Sequence, residues 1–451
     1  MTRFLLGFLP GLLATAAASA ADHATLRPNV IFILSDDVGI VNHSTYGGGF
    51  ETPHVDTLAK QGLKFTHCYS TPLCGPSRFQ ALTGRYPFRT GHISNQSEAF
   101  PTPKQEVMIS TVMKQAGYAT LCIGKWGQVN QNPGAWGFDE YLTYRNEESA
   151  RYWGGKDQAY LRNGQEVPFG EDEYLPDIQH QYMMDFIDRK KGGRFFIYYP
   201  TIQIHTPLLR TPDSKPDAKV GPREEQIYRD NVAYMDKLIG RLVAGLEQRG
   251  LLENTLIIYS GDNGAQRNFI QIETLHGRHV AGRKGQMNEG GTRVPLIAYW
   301  KGVTPVGKVL EDLTDFSDFF PTIAEIGGAA LPAQVKIDGR SLAPQIRGEK
   351  GSPREWVAVQ LDRDAFVRDG RYKLTHDGEL FDLKNAPFEE IPVNLKSTSP
   401  EVLSAMAKLQ KIAAGIPSAT EAPRASIRGK GKKDGKKKAT PRNWEETVQM
   451  N

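Results

Sequence analysis

Four short apolar runs, each breaking off into polar residues able to do chemistry, constrain this chain most. Asn29 to Leu34 runs into Ser35-Asp36-Asp37, and Ala119 to Ile123 into Gly124-Lys125-Trp126. Arg194 to Tyr199 leads to a segment carrying His205, and Thr255 to Ser260 into Gly261-Asp262-Asn263-Gly264. Runs that stay apolar without alternating suit strands buried on both faces, as in parallel sheets. Open parallel sheets place their ligand sites beyond the carboxyl ends of the strands. One charged strand exit means little. Asp-Asp, Lys, His and Asp-Asn at four exits predict one shared site.

The intervening segments read as helices. Thr52 to Gly62 has apolar spacing and a glycine stop. Glu224 to Arg249 places Val232, Met235, Leu238, Ile239, Leu242 and Leu246 on one face. Both are expected to face the core without chemistry of their own. Beyond about residue 340 the texture changes. Trp356 to Leu361 reads as a strand, and Asp369-Gly370 and Asp377-Gly378 separate short runs in the manner of hairpin turns. The expected fold is therefore α/β: a large, mostly parallel sheet between helices over residues 27–339, then a smaller antiparallel sheet and a helix near Pro400 to Ala414 within residues 340–417. Positions 424–442 hold nine Lys and Arg residues and few apolar ones. Residues 418–451 are expected to be a disordered basic tail. A solvated tail is the simpler reading of it, and a tether to a polyanion such as a sulfated glycan the sharper one.

Arg3, the apolar stretch Phe4 to Leu13 and Ala18-Ser19-Ala20 compose a cleavable signal peptide over residues 1–20. The expectation is an exported protein, periplasmic or secreted, with no membrane span, no lipid anchor and no nucleic-acid partner. Its oligomeric state is open. The three cysteines, Cys68, Cys74 and Cys122, leave at least one thiol over. Cys68 and Cys122 are compatible with a disulfide or with buried thiols.

Residues 72–85 read PLCGPSRFQALTGR. Pro76 suits the first turn of a helix, which sets Cys74 just before a helix N-terminus, a position that favours an anionic or polarised group. This stretch resembles the sulfatase signature C-x-P-S-R-x-x-x-L-T-G-R. The resemblance extends along the chain in family order, over roughly residues 28–395. Ser35-Asp36-Asp37 resembles the N-terminal metal pair, Gly124-Lys125-Trp126 the G-K-W element and Ser260 to Gly264 the S-D-N-G motif. Lys284 to Pro295 resembles K-G-x-x-x-E-G-G-x-R-V-P, and Leu380-Phe381-Asp382-Leu383 with Asn394-Leu395 the C-terminal ending.

The resemblance implies a type I sulfatase of the alkaline phosphatase superfamily, acting on a sulfate monoester, with sulfated saccharides the default substrate. It implies that a maturase oxidises Cys74 to formylglycine. One hydroxyl of the hydrated aldehyde would attack sulfur, and loss of the proton from the other would release sulfate. Asp36, Asp37, Asp262 and Asn263, with residue 74, would hold one cation. The family points to calcium, and hard oxygen donors also admit magnesium. Arg78 would hold the formylglycine oxygens and the metal-site charge. Lys125 and Lys284 would bind sulfate oxygens, and His205 would protonate the leaving oxygen. One departure stands out. Many members read G-K-W-H, and this chain has Gly127 and then Gln128. Either Gln128, His92 or His276 supplies the missing contact and binds substrate, or the substrate does not need it. Arg145 to Gly170, rich in Tyr, Trp and charges, is expected at the pocket rim. Two rival readings remain: a phosphate or phosphonate ester hydrolase of the same superfamily, and a weakly active glycan-binding homologue.

Overall fold

The structure is a computed structural model that describes residues 26–96, 100–145, 152–396 and 399–416. The leader at 1–20, the tail at 418–451 and part of the expected rim lie outside the described residues.

Ten strands make the main sheet: β1 (Asn29–Ser35), β2 (Leu63–Tyr69), β3 (Tyr118–Gly124), β4 (Glu140–Tyr144), β5 (Ala159–Arg162), β6 (Gln165–Pro168), β7 (Arg194–Thr201), β8 (Thr255–Gly261), β9 (Arg293–Trp300) and β10 (Lys308–Asp315). Their order is β10-β2-β9-β8-β1-β7-β3-β4-β5-β6. The four strands read from the apolar runs, β8, β1, β7 and β3, are neighbours and mutually parallel. β9 and β5 run against their neighbours.

The alternation of β1 explains its unbroken apolar character. Ile31 and Ile33 enter one core, and Val30, Phe32 and Leu34 enter another on the opposite face. The helices that cover the sheet include α1 (Pro53–Gln61), α2 (Cys74–Thr83), α3 (Leu175–Lys190), α4 (Glu225–Gln248) and α5 (Phe319–Gly327). α1, α3 and α4 pack on the Ile31 face through residues such as Val55, Met183 and Leu238, and α2 and α5 pack on the Phe32 face through Phe79, Leu82, Phe320 and Ile323. Asp236 of α4 accepts from the His54 and Val55 amides at 3.0 and 2.8 Å, so one core helix caps the start of another. Cys68 and Cys122 are both buried in the Phe32-face core and are not disulfide-linked.

The smaller sheet is antiparallel throughout, in the order β11 (Val357–Leu361), β12 (Asp364–Arg368), β13 (Tyr372–Thr375), β14 (Leu380–Asp382) and β15 (Ile391–Pro392). The two Asp-Gly pairs fall in its turns, as their spacing predicts. One face packs on α6 (Pro400–Ala414) and on Tyr86 and Phe88. Val357, Val359 and Phe366 pack instead against Tyr69 and Leu313 of the main sheet. The preceding stretch does not belong to this sheet: Leu342, Ala343 and Ile346 pack into the Phe32-face core of the main sheet. No helix among the described residues is long and apolar enough to cross a membrane.

Candidate active site

The parallel ladder itself fixes three of the site residues, because it runs one residue past the strands. Asp36 N–H donates to the Thr201 carbonyl at 3.1 Å, Lys125 N–H to Pro200 at 2.9 Å and Asp262 N–H to Ser35 at 2.9 Å. Gly124 permits this approach. Its φ is +126°, and a Cβ there would stand 2.0 Å from the Pro200 carbonyl. The strand exits thus converge as the sequence predicts.

Cys74 comes from the other side of the site. It is the first residue of α2 rather than the residue before it, because Leu73 takes the extended cap conformation. The Leu73 carbonyl accepts from Ser77 N–H at 3.2 Å and Ser77 Oγ–H at 2.8 Å. Cys74 therefore sits in the first turn, where backbone N–H groups have no intrahelical partner. Its Sγ accepts from Asn95 Nδ2 at 3.3 Å, lies 3.7 Å from Gln128 Oε1 and is 3.6 Å from Lys125 Nζ.

Arg78 reaches past Cys74 to the carboxylates. Its Nε donates to Asp262 Oδ2 at 2.9 Å and its Nη1 to the Lys125 carbonyl at 3.1 Å, while Nη2 is ion-paired, 2.8 Å from Asp262 Oδ2 and 3.5 Å from Asp36 Oδ1. Full negative charges hold a guanidinium more strongly than a thiol does. Lys125 Nζ donates to Asp36 Oδ2 at 2.6 Å, and Lys284 Nζ lies 2.5 Å from Asp37 Oδ1. Both ammonium groups are therefore seated on carboxylates here.

The charges act on one another. Burial alone would raise Asp36, but Lys125, His205, Arg78 and Lys284 hold it well below the usual carboxylate range. Burial, with Asp36 alongside, pushes Asp262 up to about 7 against the pull of Arg78. Burial also raises the Cys74 thiol, with Lys125 opposing. Burial lowers His205. Its Nδ1 lies 2.7 Å from the Thr206 carbonyl and so carries the proton, leaving Nε2 as the acceptor nitrogen of a neutral ring.

These donors fit a hard divalent cation. Asp36 Oδ1 and Asn263 Oδ1 are buried without a hydrogen-bond donor. Asn263 Nδ2 donates to Asp37 Oδ1 and to the Gly264 carbonyl, both at 2.9 Å, which leaves its oxygen for a cation. One atom each from Asp36, Cys74 and Asp262 lie within 4.8 Å of one another, as do atoms of Asp36, Asp37 and His205. Four buried oxygen-bearing side chains suit calcium or magnesium.

The loop carrying Lys284 is held from three directions. Lys284 N–H donates to Ala265, and Gly285 N–H to Pro72 at the entry to α2, at 3.1 and 2.7 Å. From the small sheet, Lys373 Nζ reaches the Met287 carbonyl at 3.2 Å, and Glu390 Oε1 accepts from Glu289 N–H at 2.9 Å. Glu289 itself is buried against Arg368 Nη1 at 2.7 Å and Tyr69 OH at 3.1 Å.

Of the three residues proposed to replace the family histidine, only Gln128 reaches Cys74. Its backbone is left-handed, with φ 54°. His92 is buried edge-on between Phe79 and Phe100, at ring distances of 5.0 and 4.8 Å, so it backs the wall instead of lining the pocket. His276 stands elsewhere. Its N–H donates to Gly47 at 2.7 Å, and it lines a cavity of about 450 Å³ with Lys64, Arg293 and Phe388. No residue assigned to the reaction lines that cavity. Asn95 is the residue that sequence reasoning missed. It lies in a short polar loop after α2, with no pattern around it to mark it.

A strand-end site on an alkaline-phosphatase-like α/β fold, with a signature cysteine beside clustered carboxylates, defines a class of ester hydrolase. The family model for sulfatases matches residues 28–329, and the chain belongs to that family: it is a type I sulfatase, a sulfuric ester hydrolase. It is 29% identical to arylsulfatase A of Homo sapiens over 89% of this chain and 91% of that one. It is 30% identical to N-acetylgalactosamine-6-sulfatase of Canis lupus familiaris, covering 80% of this chain and 74% of that one. Its structure is similar to that of Ps i-CgsB solved with k-i-k-neocarrahexaose, with a TM-score of 0.76, 25% identity and coverage of 89% and 94% of the two chains.

Proposed function

We propose that this sulfatase removes sulfate from a sulfated carbohydrate, using formylglycine made from Cys74 and one divalent cation, calcium. The observation that carries the reading is the placement of Cys74 Sγ within 4.8 Å of oxygens of both Asp36 and Asp262. The saccharide class draws on the relatives, one named for an N-acetylgalactosamine sulfate and one crystallised with a neocarrahexaose. The leader residues support export.

Asp36, Asp37, Asp262 and Asn263 would hold the cation, which supplies positive charge for the sulfuryl oxygens. Formylglycine, once hydrated, supplies the attacking hydroxyl and the means of releasing sulfate from residue 74. The chain's own residues do the rest. Lys125 and Lys284 put two ammonium charges beside position 74, where negative charge must be accommodated. Arg78 holds Asp262 and Asp36 in place. His205 keeps Nδ1–H on the Thr206 carbonyl, so it would protonate the departing oxygen from Nε2 only after that nitrogen had taken up a second proton, as the imidazolium.

The test is sulfate release from a panel of sulfated saccharides, using protein whose residue 74 has been read by peptide mass spectrometry. Matched aryl sulfate and aryl phosphate esters are run alongside. The expected result is release from at least one saccharide, a strong preference for the aryl sulfate, and formylglycine at position 74. Full-speed cleavage by protein carrying only an ordinary thiol there sinks the mechanism. Preference for the phosphate ester sinks the substrate class.

A further inference from the structure

Cys74 Sγ marks where an oxygen of the oxidised side chain would sit, and the contacts around that point have a fixed sense. Gly75 N–H can only donate, and it donates to Asn95 Oδ1 at 2.9 Å. That bond fixes the Asn95 amide, so its Nδ2 is the atom 3.3 Å from Sγ. Gln128 presents Oε1 at 3.7 Å, an acceptor. The fit is close on both sides. A Cβ on Gly75 would stand 2.5 Å from Asn95 Oδ1 and 3.1 Å from Gln128 Cβ, so a side chain larger than glycine at position 75 would push the two amides away.

We infer that Asn95 is a catalytic residue: its Nδ2 donates to an oxygen on residue 74 while Gln128 Oε1 accepts from another, so that two amides orient the group that attacks sulfur. The inference rests on the formylglycine reading. It also accounts for the departure at Gly127. Where related chains place an imidazole, this chain has a neutral donor and a neutral acceptor. A hydrated aldehyde carries two hydroxyls, and one donor with one acceptor sets which oxygen faces the cation and which faces away.

The test uses the full chain with Asn95→Ala, Asn95→Asp and Gly75→Ala, each normalised to the fraction of residue 74 converted, as read by peptide mass spectrometry. The expected result is a fall in kcat of ~100-fold with KM changed by less than about threefold, the size of effect seen when one aimed donor is removed. Asn95→Asp keeps the size of the side chain but replaces the donor with an acceptor, so it is expected to fall at least as far as Asn95→Ala. A second readout is the rate at which an aminooxy reagent labels residue 74. Loss of the donor is expected to speed labelling several-fold, because less of the group is held as the hydrate. Per-site kcat within twofold of wild type in Asn95→Ala and Asn95→Asp, with unchanged labelling, overturns the assignment. Wild-type protein that is active with unconverted Cys74 overturns the formylglycine reading instead, so the two failures are distinguishable.

Discussion

On one side of Cys74 stand Asp36, Asp37 and Asp262 with Arg78, Lys125 and Lys284, all ionic and paired at 2.5 to 3.5 Å. On the other stand Asn95, Gln128 and the buried ring of His92, none of which carries charge at neutral pH. In the proposed reaction the ionic side deals with the charge of a sulfate and its cation. The neutral side can only orient, because amides donate and accept without changing charge. Neutralisation and orientation are thus assigned to opposite walls, and the difference can be attacked from either.

The largest effect falls where the walls meet. Cys74→Ala is expected to reduce turnover of an aryl sulfate by roughly 10⁴-fold or more while leaving the melting temperature within a few degrees. Activity near wild type would remove residue 74 as the dividing point. On the ionic side, Asp262→Ala is expected to cost roughly 10²–10³-fold in kcat/KM and to weaken calcium binding in calorimetry after chelation. An unchanged titration would take Asp262 out of the ligand set. On the neutral side, Gln128→Glu places a carboxylate where the substrate brings its own negative charge. About a tenfold loss of kcat/KM is expected for a sulfated saccharide, and no loss would mean the wall need not be neutral.

The smallest effect concerns His92. Burial pushes its pKa down to about 3 from the ordinary 6.5, so the folded protein keeps the ring neutral while the unfolded chain protonates it. The stability this contributes is fully present above pH 6.5 and is lost as pH falls from there toward 3. His92→Phe is therefore expected to lose less melting temperature than wild type between pH 7 and pH 5. Equal losses would show that His92 is not among the groups that set acid sensitivity.

The two walls also differ in how far sequence reveals them. Asp36, Lys125 and Asp262 follow apolar strands directly, so strand periodicity and chemical type together predict their convergence. Asn95 has no such anchor. It is one polar residue in a polar loop, and only its contacts with Gly75 and Cys74 distinguish it. The same reasoning explains why β2, β9 and β10 escape the sequence reading while β1, β3, β7 and β8 do not. β2 is Leu-Lys-Phe-Thr-His-Cys-Tyr, with polar residues among its apolar ones, and β10 carries Lys308, Glu311 and Asp312. β9 is apolar but sits inside a motif that draws attention to its chemistry. His276 shows the opposite error, a histidine of suitable type that folding places in another cavity.

The grip of the small sheet on the Lys284 loop bears on when the enzyme becomes competent during its own manufacture. The ribosome delivers Cys74 and every proposed metal ligand before it reaches Arg368, Lys373 and Glu390. A chain that stops short of β12 keeps the whole signature, yet it leaves the Glu289 carboxylate without its Arg368 partner and the Met287 carbonyl without Lys373. Such a shortened chain would carry the reacting groups while lacking the contacts that the small sheet makes with the segment presenting Lys284.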